Sequence, residues 1–195
     1  MRLLFIFGSQ NRHMSVGNKL LNTFDVSAVI LCNRHQVPQL ARPKTWLTED
    51  DEFLHSHLGK LEQDEISMIS NDNRFNFDLT IEDRNIPKFI VDNRKQLNEL
   101  TLWQSLSELN LSYDAVIVYG SWIIENRLYD LLKNNNQKII NIHGGISPFY
   151  RGSSTLLWPL VLSQPELMGF TVHELDSKID HGPIYSYIFP NLYNN

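Results

Sequence analysis

The chain begins with an uninterrupted apolar run, residues 3–7, that is closed by Gly8. A run this short and continuous predicts a strand buried on both faces of a sheet. Apolar residues then recur at helical spacing over residues 16–24, and a second apolar run follows at residues 28–32. Because strand, helix and strand succeed one another, the chain predicts a right-handed βαβ unit and hence a parallel sheet.

The same alternation continues along the chain. Three further parallel strands are predicted, at residues 88–91, 113–119 and 139–142. Amphipathic helices are predicted at residues 49–69, 95–109 and 122–132, with irregular segments at 34–48 and 71–85. After them we expect a helix at residues 153–162 and two antiparallel edge strands at 169–174 and 183–189. The pattern predicts an α/β fold, a Rossmann-like, mostly parallel sheet with helices on both faces and an antiparallel edge.

Length and composition restrict the class of protein. The 195 residues suit a single domain, and a net charge of −5 with interspersed signs argues against a nucleic-acid-binding surface. One cysteine, Cys32, allows no internal disulfide, and no window approaches the roughly 20 apolar residues of a membrane span. We therefore expect a cytoplasmic protein with no membrane or nucleic-acid partner. Neither a G-x-G-x-x-G nor a Walker loop follows the first strand.

Three polar side chains stand out near the end of the predicted sheet. Asn141 and His143 end the last parallel strand, and Asp180 follows about one helix and one strand later. We expect the break at Gly144-Gly145 to turn Asn141 and His143 into one pocket. The carboxyl ends of parallel strands are where ligands bind in open α/β sheets, so this edge is the candidate site.

These residue types suit acyl-type transfer. A charged His143, held by Asp180, and the Asn141 amide would both donate N–H groups to a developing oxyanion. The carboxylate could also pass a proton from an attacking amine. The G-x-S-x-G pattern of an activated serine is absent, which favours direct transfer over a covalent acyl-enzyme. No metal is predicted, since the chain has neither an H-E-x-x-H motif nor paired cysteines.

Each part of this pattern has a simpler interpretation on its own. An Asn-x-His pair is more often a capping or hydrogen-bonding pair, and the Gly-Gly-x-Ser-Pro segment alone could be a plain turn. Asp176 and Asp180 could belong to a solvated acidic loop. The order and spacing of all the parts together favour a functional site.

The string N-I-H-G-G-I-S-P-F-Y-R-G, followed by T-V-H-E-L-D-S-K-I-D-H-G-P-I, resembles the core of the folate-dependent formyltransferases. That superfamily includes glycinamide ribonucleotide, methionyl-tRNA and sugar N-formyltransferases. The resemblance covers roughly residues 113–188 closely, whereas the N-terminal half agrees only in its αβ rhythm. It implies that N10-formyltetrahydrofolate donates a formyl group directly to a primary amine, with Asn141, His143 and Asp180 as the catalytic residues.

The resemblance also implies binding residues. His173 matches a family histidine whose role here could be structural. The folate pocket would be lined by residues after the fourth parallel strand and in the closing loop, namely Gly120, Ser121, Trp122, Ile123, Ile124, Leu175 and Asp176. The acceptor would be bound by residues of the loop after His143, namely Ser147, Tyr150, Arg151, Gly152, Ser153 and Ser154.

The run 150–155 is similar to the amino-sugar or hydroxyornithine branches, so we expect a nucleotide-linked amino sugar as acceptor. Arg12 and His13 could touch its phosphates, although a solvated first loop is the simpler expectation. The alternatives are another amine, of glycinamide ribonucleotide or hydroxyornithine, and a folate- or nucleotide-binding module without turnover.

The sequence departs from the family at two places. Gly144-Gly145 and 146–148 replace the commoner Pro-Ser-Leu-Leu-Pro, although the proline is kept. Residues 1–195 are expected to form a single catalytic domain that lacks the usual C-terminal helix. If so, another subunit could cover part of the sheet, and we predict a possible homodimer.

Overall fold

A computed structural model describes residues 1–33, 85–134, 137–153 and 155–190, together with the single positions 60, 63, 64 and 67. Apart from those four positions and Asn85, the predicted helix at 49–69 and the irregular segments at 34–48 and 71–85 lie outside the described residues.

The described residues contain seven strands that form one sheet in the order β3-β2-β1-β4-β5-β6-β7. Pairing is parallel from β3 through β5 and antiparallel for β5–β6 and β6–β7. The predicted fold class is confirmed, including the antiparallel edge. The strands are β1 Arg2–Gly8, β2 Asp25–Cys32, β3 Lys88–Val91, β4 Ala115–Tyr119, β5 Lys138–His143, β6 Phe170–Glu174 and β7 Ile184–Ile188.

Helices connect the strands and pack on both faces of the sheet. The described helices are α1 Asn11–Thr23, α2 Arg94–Asn98, α3 Leu100–Glu108, α4 Asn126–Asn134 and α5 Trp158–Val161, with a 3₁₀ turn at Pro165–Leu167. Successive strand side chains point to opposite faces, so Phe5 and Phe7 join Leu21 of α1 in one core. Leu4 and Ile6 join the α2, α3 and α4 side chains in the other.

Three predicted helices differ from those observed. The helix expected at 95–109 is interrupted at Glu99, whose ψ of 138° is extended. The helix expected at 122–132 begins only at Asn126. In both cases the Asn98 side chain takes part, because it bonds to the backbone of residues 94, 123 and 125. Of the helix expected at 153–162, the described residues form only α5. Pro159 lies in its first turn, where a missing N–H is tolerated. In a helix that began at residue 153, the same proline would lie in the interior and could not donate the hydrogen bond needed there.

The sheet reverses its direction of growth beside β1. The chain places β2 on one side of β1 and β4 on the other, and such a switch point opens a crevice at the carboxyl ends of the strands. Phe7 pairs with Tyr119, and Tyr119 pairs with Ile142. Residues 8, 120 and 143 therefore follow one another along the same edge, which brings the loops after β1, β4 and β5 together.

The far edge of the sheet is apolar and exposed. Among the described residues β7 pairs only with β6, and its Ile184, Tyr185, Tyr187 and Ile188 are 41–52% exposed. An exposed apolar edge strand is a surface on which another chain can pair. The homodimer stays a prediction. Within the described ranges, no helix has the length and apolar character to cross a membrane.

Candidate active site

Four polar side chains share one face of the β5–β6 pair. Asn141 is paired directly with His173, and His143 with Thr171. Alternate residues of a strand point to the same face, so Asn141 and His143 lie on one side because both belong to β5. The expectation that the Gly144-Gly145 break turns them to the same side was therefore wrong, because the strand itself places both side chains there. Cross-strand pairing adds His173 to the site.

The Asp180 carboxylate lies at the centre of these side chains. Asn141 Nδ2 donates to Oδ1 at 3.1 Å, and the Gly152 amide donates to Oδ2 at 2.9 Å. His143 Nδ1 lies 3.3 Å from Oδ2, and His173 Nε2 lies 3.7 Å from Oδ1. The β6–β7 loop thus brings together the three residues that the sequence singled out and joins them to a second histidine.

The surroundings of Asp180 stabilise its ionised form. Burial by itself would raise the pKa of this carboxyl. Hydrogen bonding with His173 and with the Gly152 amide, together with the charge of His143, outweighs burial and holds the pKa of Asp180 below its usual value. The residue has a left-handed backbone, with φ of 48°, which Asp tolerates better than most residues.

Both ring nitrogens of His143 face oxygens that only accept hydrogen bonds. Nε2 lies 2.9 Å from the Tyr150 carbonyl oxygen, and Nδ1 faces Asp180 Oδ2. The two contacts are both hydrogen bonds only when each nitrogen carries a hydrogen, that is, in the imidazolium form. In that form His143 is a buried cationic donor close to the Asn141 amide.

His173 has a different set of partners. Its Nδ1 lies 2.9 Å from the Glu174 carbonyl, while Nε2 lies 3.1 Å from Asn141 Nδ2. Burial opposes a charge on the ring, but hydrogen bonding with Asp180 and Glu174 outweighs it and raises the pKa of His173. Asn141 can donate to Nε2 only while that nitrogen is unprotonated. A proton on His173 would therefore exchange the bond from Asn141 for a closer interaction with Asp180.

A buried hydroxyl connects the sheet to the loop after β5. Thr171 is fully buried, and its Oγ1 donates to the Gly145 carbonyl at 2.6 Å and accepts from the Ser147 amide at 2.9 Å. Ser147 Oγ in turn donates to the Asp180 carbonyl at 3.1 Å, and Tyr187 Oη donates to the Ser147 carbonyl. These bonds fix the loop after β5, which carries the Tyr150 carbonyl that contacts His143. They also hold the backbone of Asp180 in place.

Gly145 stands where no side chain fits. A β-carbon there would lie 2.7 Å from His143 Nε2, from the Tyr150 carbonyl oxygen and from Thr155 Cβ. A β-carbon on the neighbouring Gly144 would meet only ordinary contacts, with Leu156 at 3.4 Å as the nearest. Gly145 is thus required by the position of His143, whereas Gly144 is not.

The residues predicted to bind the acceptor differ in their exposure to solvent. Ser147 and Tyr150 are buried, and their hydroxyls already donate, to Asp180 and Gln164 respectively. The exposed members are Arg151, Gly152 and Ser153, while Ser154 lies outside the described residues. Arg12 and His13 lie in α1, not in the solvated loop that was expected there. Arg12 is exposed and bonds to Gln10, whereas His13 is buried against Tyr119, with ring centroids 4.6 Å apart.

Several of the residues predicted to bind folate pack against the hydrophobic core and remain partly exposed. Trp122, Ile124 and Leu175 pack, partly buried, against the same hydrophobic cluster, and Ile123 is 50% exposed. Gly120 begins the loop with φ of 64°, and a β-carbon there would overlap the His13 ring. Asp176 pairs with His181 at 2.7 Å.

Several contacts of this region were not found from the sequence. The Tyr150 carbonyl and the Gly152 amide act through the backbone, and backbone groups leave no mark on residue type. Thr171 is one residue of an ordinary β pattern, so only its burial identifies it. Among the described residues, no group of three or more His, Cys, Asp or Glu side chains is placed to hold a metal ion.

Comparison with known proteins identifies the family. A family model described as "Formyl transferase" matches residues 49–188, more than half of the chain. The chain therefore belongs to the formyl transferase family, as the resemblance in the motifs indicated.

Individual relatives match parts of the chain. Methionyl-tRNA formyltransferase of Finegoldia magna is 31% identical over 90 residues, which are 46% of this chain and 27% of that protein. The dTDP-4-amino-4,6-dideoxyglucose formyltransferase of Mycobacterium bovis is 36% identical over 47 residues, 24% of this chain and 19% of that protein. The matches thus span about a quarter or less of these relatives.

A solved structure shows the same fold. Phosphoribosylglycinamide formyltransferase of Streptococcus pneumoniae superimposes with a TM-score of 0.61 at 18% identity, over 100% of this chain and 86% of that one.

We predict that Gly145→Ala destabilises the protein and disturbs His143, because the new methyl group would overlap the imidazole and the Tyr150 carbonyl. Overpacking of this kind costs about 1–3 kcal/mol. Urea denaturation measures the loss, and the imidazole NMR signals of His143 report the disturbance. The matched control is Gly144→Ala, for which neither quantity should change appreciably. Equal effects of both substitutions would contradict the assignment.

We predict that the stabilisation contributed by Asp180 is lost in acid. A carboxyl whose pKa is lowered by folding stabilises the native state above its unfolded pKa of about 3.9, and this contribution disappears as the pH falls through the folded pKa. The difference in unfolding free energy between wild type and Asp180→Asn should therefore narrow, by on the order of 1 kcal/mol, from pH 5 to below pH 3.5. Asparagine also tolerates the left-handed backbone.

Urea denaturation across this pH range measures the difference. Asp130→Asn, which removes an exposed carboxylate on α4, controls for the change in net charge. A difference between wild type and Asp180→Asn that stays constant with pH would contradict the prediction.

Proposed function

We propose that this chain transfers a formyl group from N10-formyltetrahydrofolate directly to a primary amine. The observation that carries the proposal is the cluster of a buried His143 with the partly buried Asn141 and Asp180 in a member of the formyl transferase family. The cluster supplies two N–H donors and one carboxylate in contact with one another. These are the groups that formyl transfer requires.

In this reaction a new C–N bond forms between the acceptor amine and the formyl carbon, and the bond from that carbon to N10 breaks. The N–H groups of Asn141 and His143 would donate to the formyl oxygen as it gains negative charge, in place of part of their present bonds. Asp180 would accept the proton that the attacking amine loses and return it to the departing nitrogen. The products are the N-formyl compound and tetrahydrofolate.

The ionised state of Asp180 suits formyl transfer. A carboxylate with a lowered pKa stays ionised at neutral pH and keeps the cationic form of His143 paired. Removing water from such a site strengthens its donors, because charges and dipoles act more strongly at low dielectric. A folate-binding module without turnover would not need a buried carboxylate between two histidines, which favours the enzyme over that alternative.

For the acceptor we propose the amine of a nucleotide-linked amino sugar. Two observations support this choice, the 36% identity over 47 residues to a dTDP-amino-sugar formyltransferase and the exposed loop of residues 151–153 beside Asp180. The net charge of −5 argues against tRNA as the carrier of the amine. The protein is proposed to work in the cytoplasm, where folate and nucleotide sugars meet.

We predict that His143→Ala lowers the rate of amine-dependent tetrahydrofolate release by about 10²–10⁴-fold, because the variant loses its cationic donor to the formyl oxygen. Tetrahydrofolate binding, measured by calorimetry, should stay largely intact. Thr101→Ala, on the exposed side of α3, is the control, and a reaction without amine corrects for hydrolysis of the donor. A near-normal rate in His143→Ala would assign the chemistry to another residue.

The acceptor is tested by competition among amines. We expect kcat/KM for a dTDP-linked 4-amino sugar to exceed the values for glycinamide ribonucleotide, hydroxyornithine and methionyl-tRNA by at least about 10²-fold, since a polar group of the site that bonds to one acceptor is left unpaired when a different acceptor binds. Mass spectrometry identifies the formylated product. Preference for any other amine would replace the sugar as the proposed acceptor.

A further inference from the structure

A side chain of the neighbouring helix α2 keeps residues 121–125 out of a helical conformation. The sequence pattern predicts a helix from Trp122, yet α4 begins only at Asn126. Asn98, the last residue of α2, donates from Nδ2 to the Ile123 carbonyl at 3.0 Å and accepts at Oδ1 from the Glu125 amide at 2.8 Å. One amide side chain therefore satisfies both a carbonyl and an N–H that would otherwise be available for helix formation.

Asn98 is itself fixed in place. Its Nδ2 also donates to the Arg94 carbonyl at 2.8 Å, so the hydrogens and the oxygen of its amide all have backbone partners. The preceding residue, Leu97, is fully buried, and its carbonyl accepts from the Trp103 indole at 2.9 Å. The side chain is thus anchored to the core and is a rigid support for the segment.

A second contact joins the same two elements but contributes less. Arg94 Nε lies 2.9 Å from Glu125 Oε1, with side chains 52% and 48% exposed. Half-exposed ion pairs are screened by water and contribute little to stability. The bonds of Asn98 go directly to the backbone, and they fix the positions of residues 123 and 125 rather than the end of one side chain.

We propose that Asn98 is a positioning residue for the folate co-substrate. By holding residues 121–125 out of a helix, it keeps Trp122 and Ile124 packed on the core and leaves Ile123 half exposed. This inference rests on the proposed function and on the family resemblance, which implies that the segment lines the folate pocket. A segment ordered before binding does not have to be ordered by the ligand, so preorganisation appears as affinity for folate and not as the rate of the chemical step.

The test compares Asn98→Ala and Asn98→Asp with wild type. The aspartate variant would keep an acceptor for the Glu125 amide but place a carboxylate beside the carbonyls of residues 94 and 123. Both variants should raise KM for N10-formyltetrahydrofolate and Kd for tetrahydrofolate by about 10- to 100-fold, with kcat changed less than about threefold. Hydrogen exchange of the amides of residues 121–125 should become faster in both.

Asn93→Ala is the matched control. Asn93 caps the same helix through its bond from the Gln96 amide at 2.9 Å and does not touch the segment. This variant should lose stability to a similar degree and yet keep KM, Kd and the exchange of residues 121–125. A purely structural role for Asn98 would make the two variants alike.

The outcomes separate the two proposals. Unchanged exchange at 121–125 in Asn98→Ala would overturn the positioning role, and so would faster exchange without a change in the Kd of tetrahydrofolate. A wild-type protein that binds no tetrahydrofolate would overturn the proposed function itself and, with it, the ligand assigned to this segment.

Discussion

The candidate site is arranged around one buried negative charge. The Asp180 side chain is 12% exposed, and a carboxylate removed from water is costly unless hydrogen bonds and opposite charges replace its hydration. Here the replacement comes from β5, from β6 and from the loop after β5, through Asn141, His143, His173 and the Gly152 amide. β5, β6 and the loop after β5 must therefore all be in place before the charge is satisfied. This couples the conformation of the Asp180 loop to the integrity of the β5–β6 pair.

The same arrangement limits how protons are distributed. Asp180 lies between two imidazoles, and Asn141 donates to both the carboxylate and the Nε2 of His173. A positive charge on His173 would strengthen its interaction with Asp180 but remove the acceptor for Asn141. Changes of protonation at any one member therefore alter the partners of the others. The hydrogen bonds around Asp180 thus form one connected set.

Much of the fold followed from the sequence because buried parallel strands are nearly all apolar. The run at residues 3–7 became the parallel strand β1. The alternating pattern at 169–174 became the antiparallel strand β6, within one residue. The site residues Asn141, His143 and Asp180 were identified by their motif, and the structure brings them into contact.

What escaped prediction has a common physical cause. Asn98 ends one helix and delays another through bonds to backbone groups 25 and 27 positions away, which a periodicity of 3.6 residues does not record. Likewise, Gly145 is needed because of where His143 and Tyr150 meet, a tertiary relation that no local pattern contains.

The site divides its tasks between strands and loops. Asn141, His143 and His173 are set by direct pairing in the sheet, where register fixes which side chains face each other. The exposed residues proposed to meet the acceptor, Arg151 and Ser153, lie in a loop, as do Trp122 and Ile123 on the side proposed for folate. Groups that take part in bond making need positions accurate to a fraction of an ångström, which a sheet provides better than a loop. Loops can change their residues without disturbing that register. Under the proposed function, formyl transfer would be retained while the amine changes, because the chemistry and the choice of acceptor would depend on different parts of the chain.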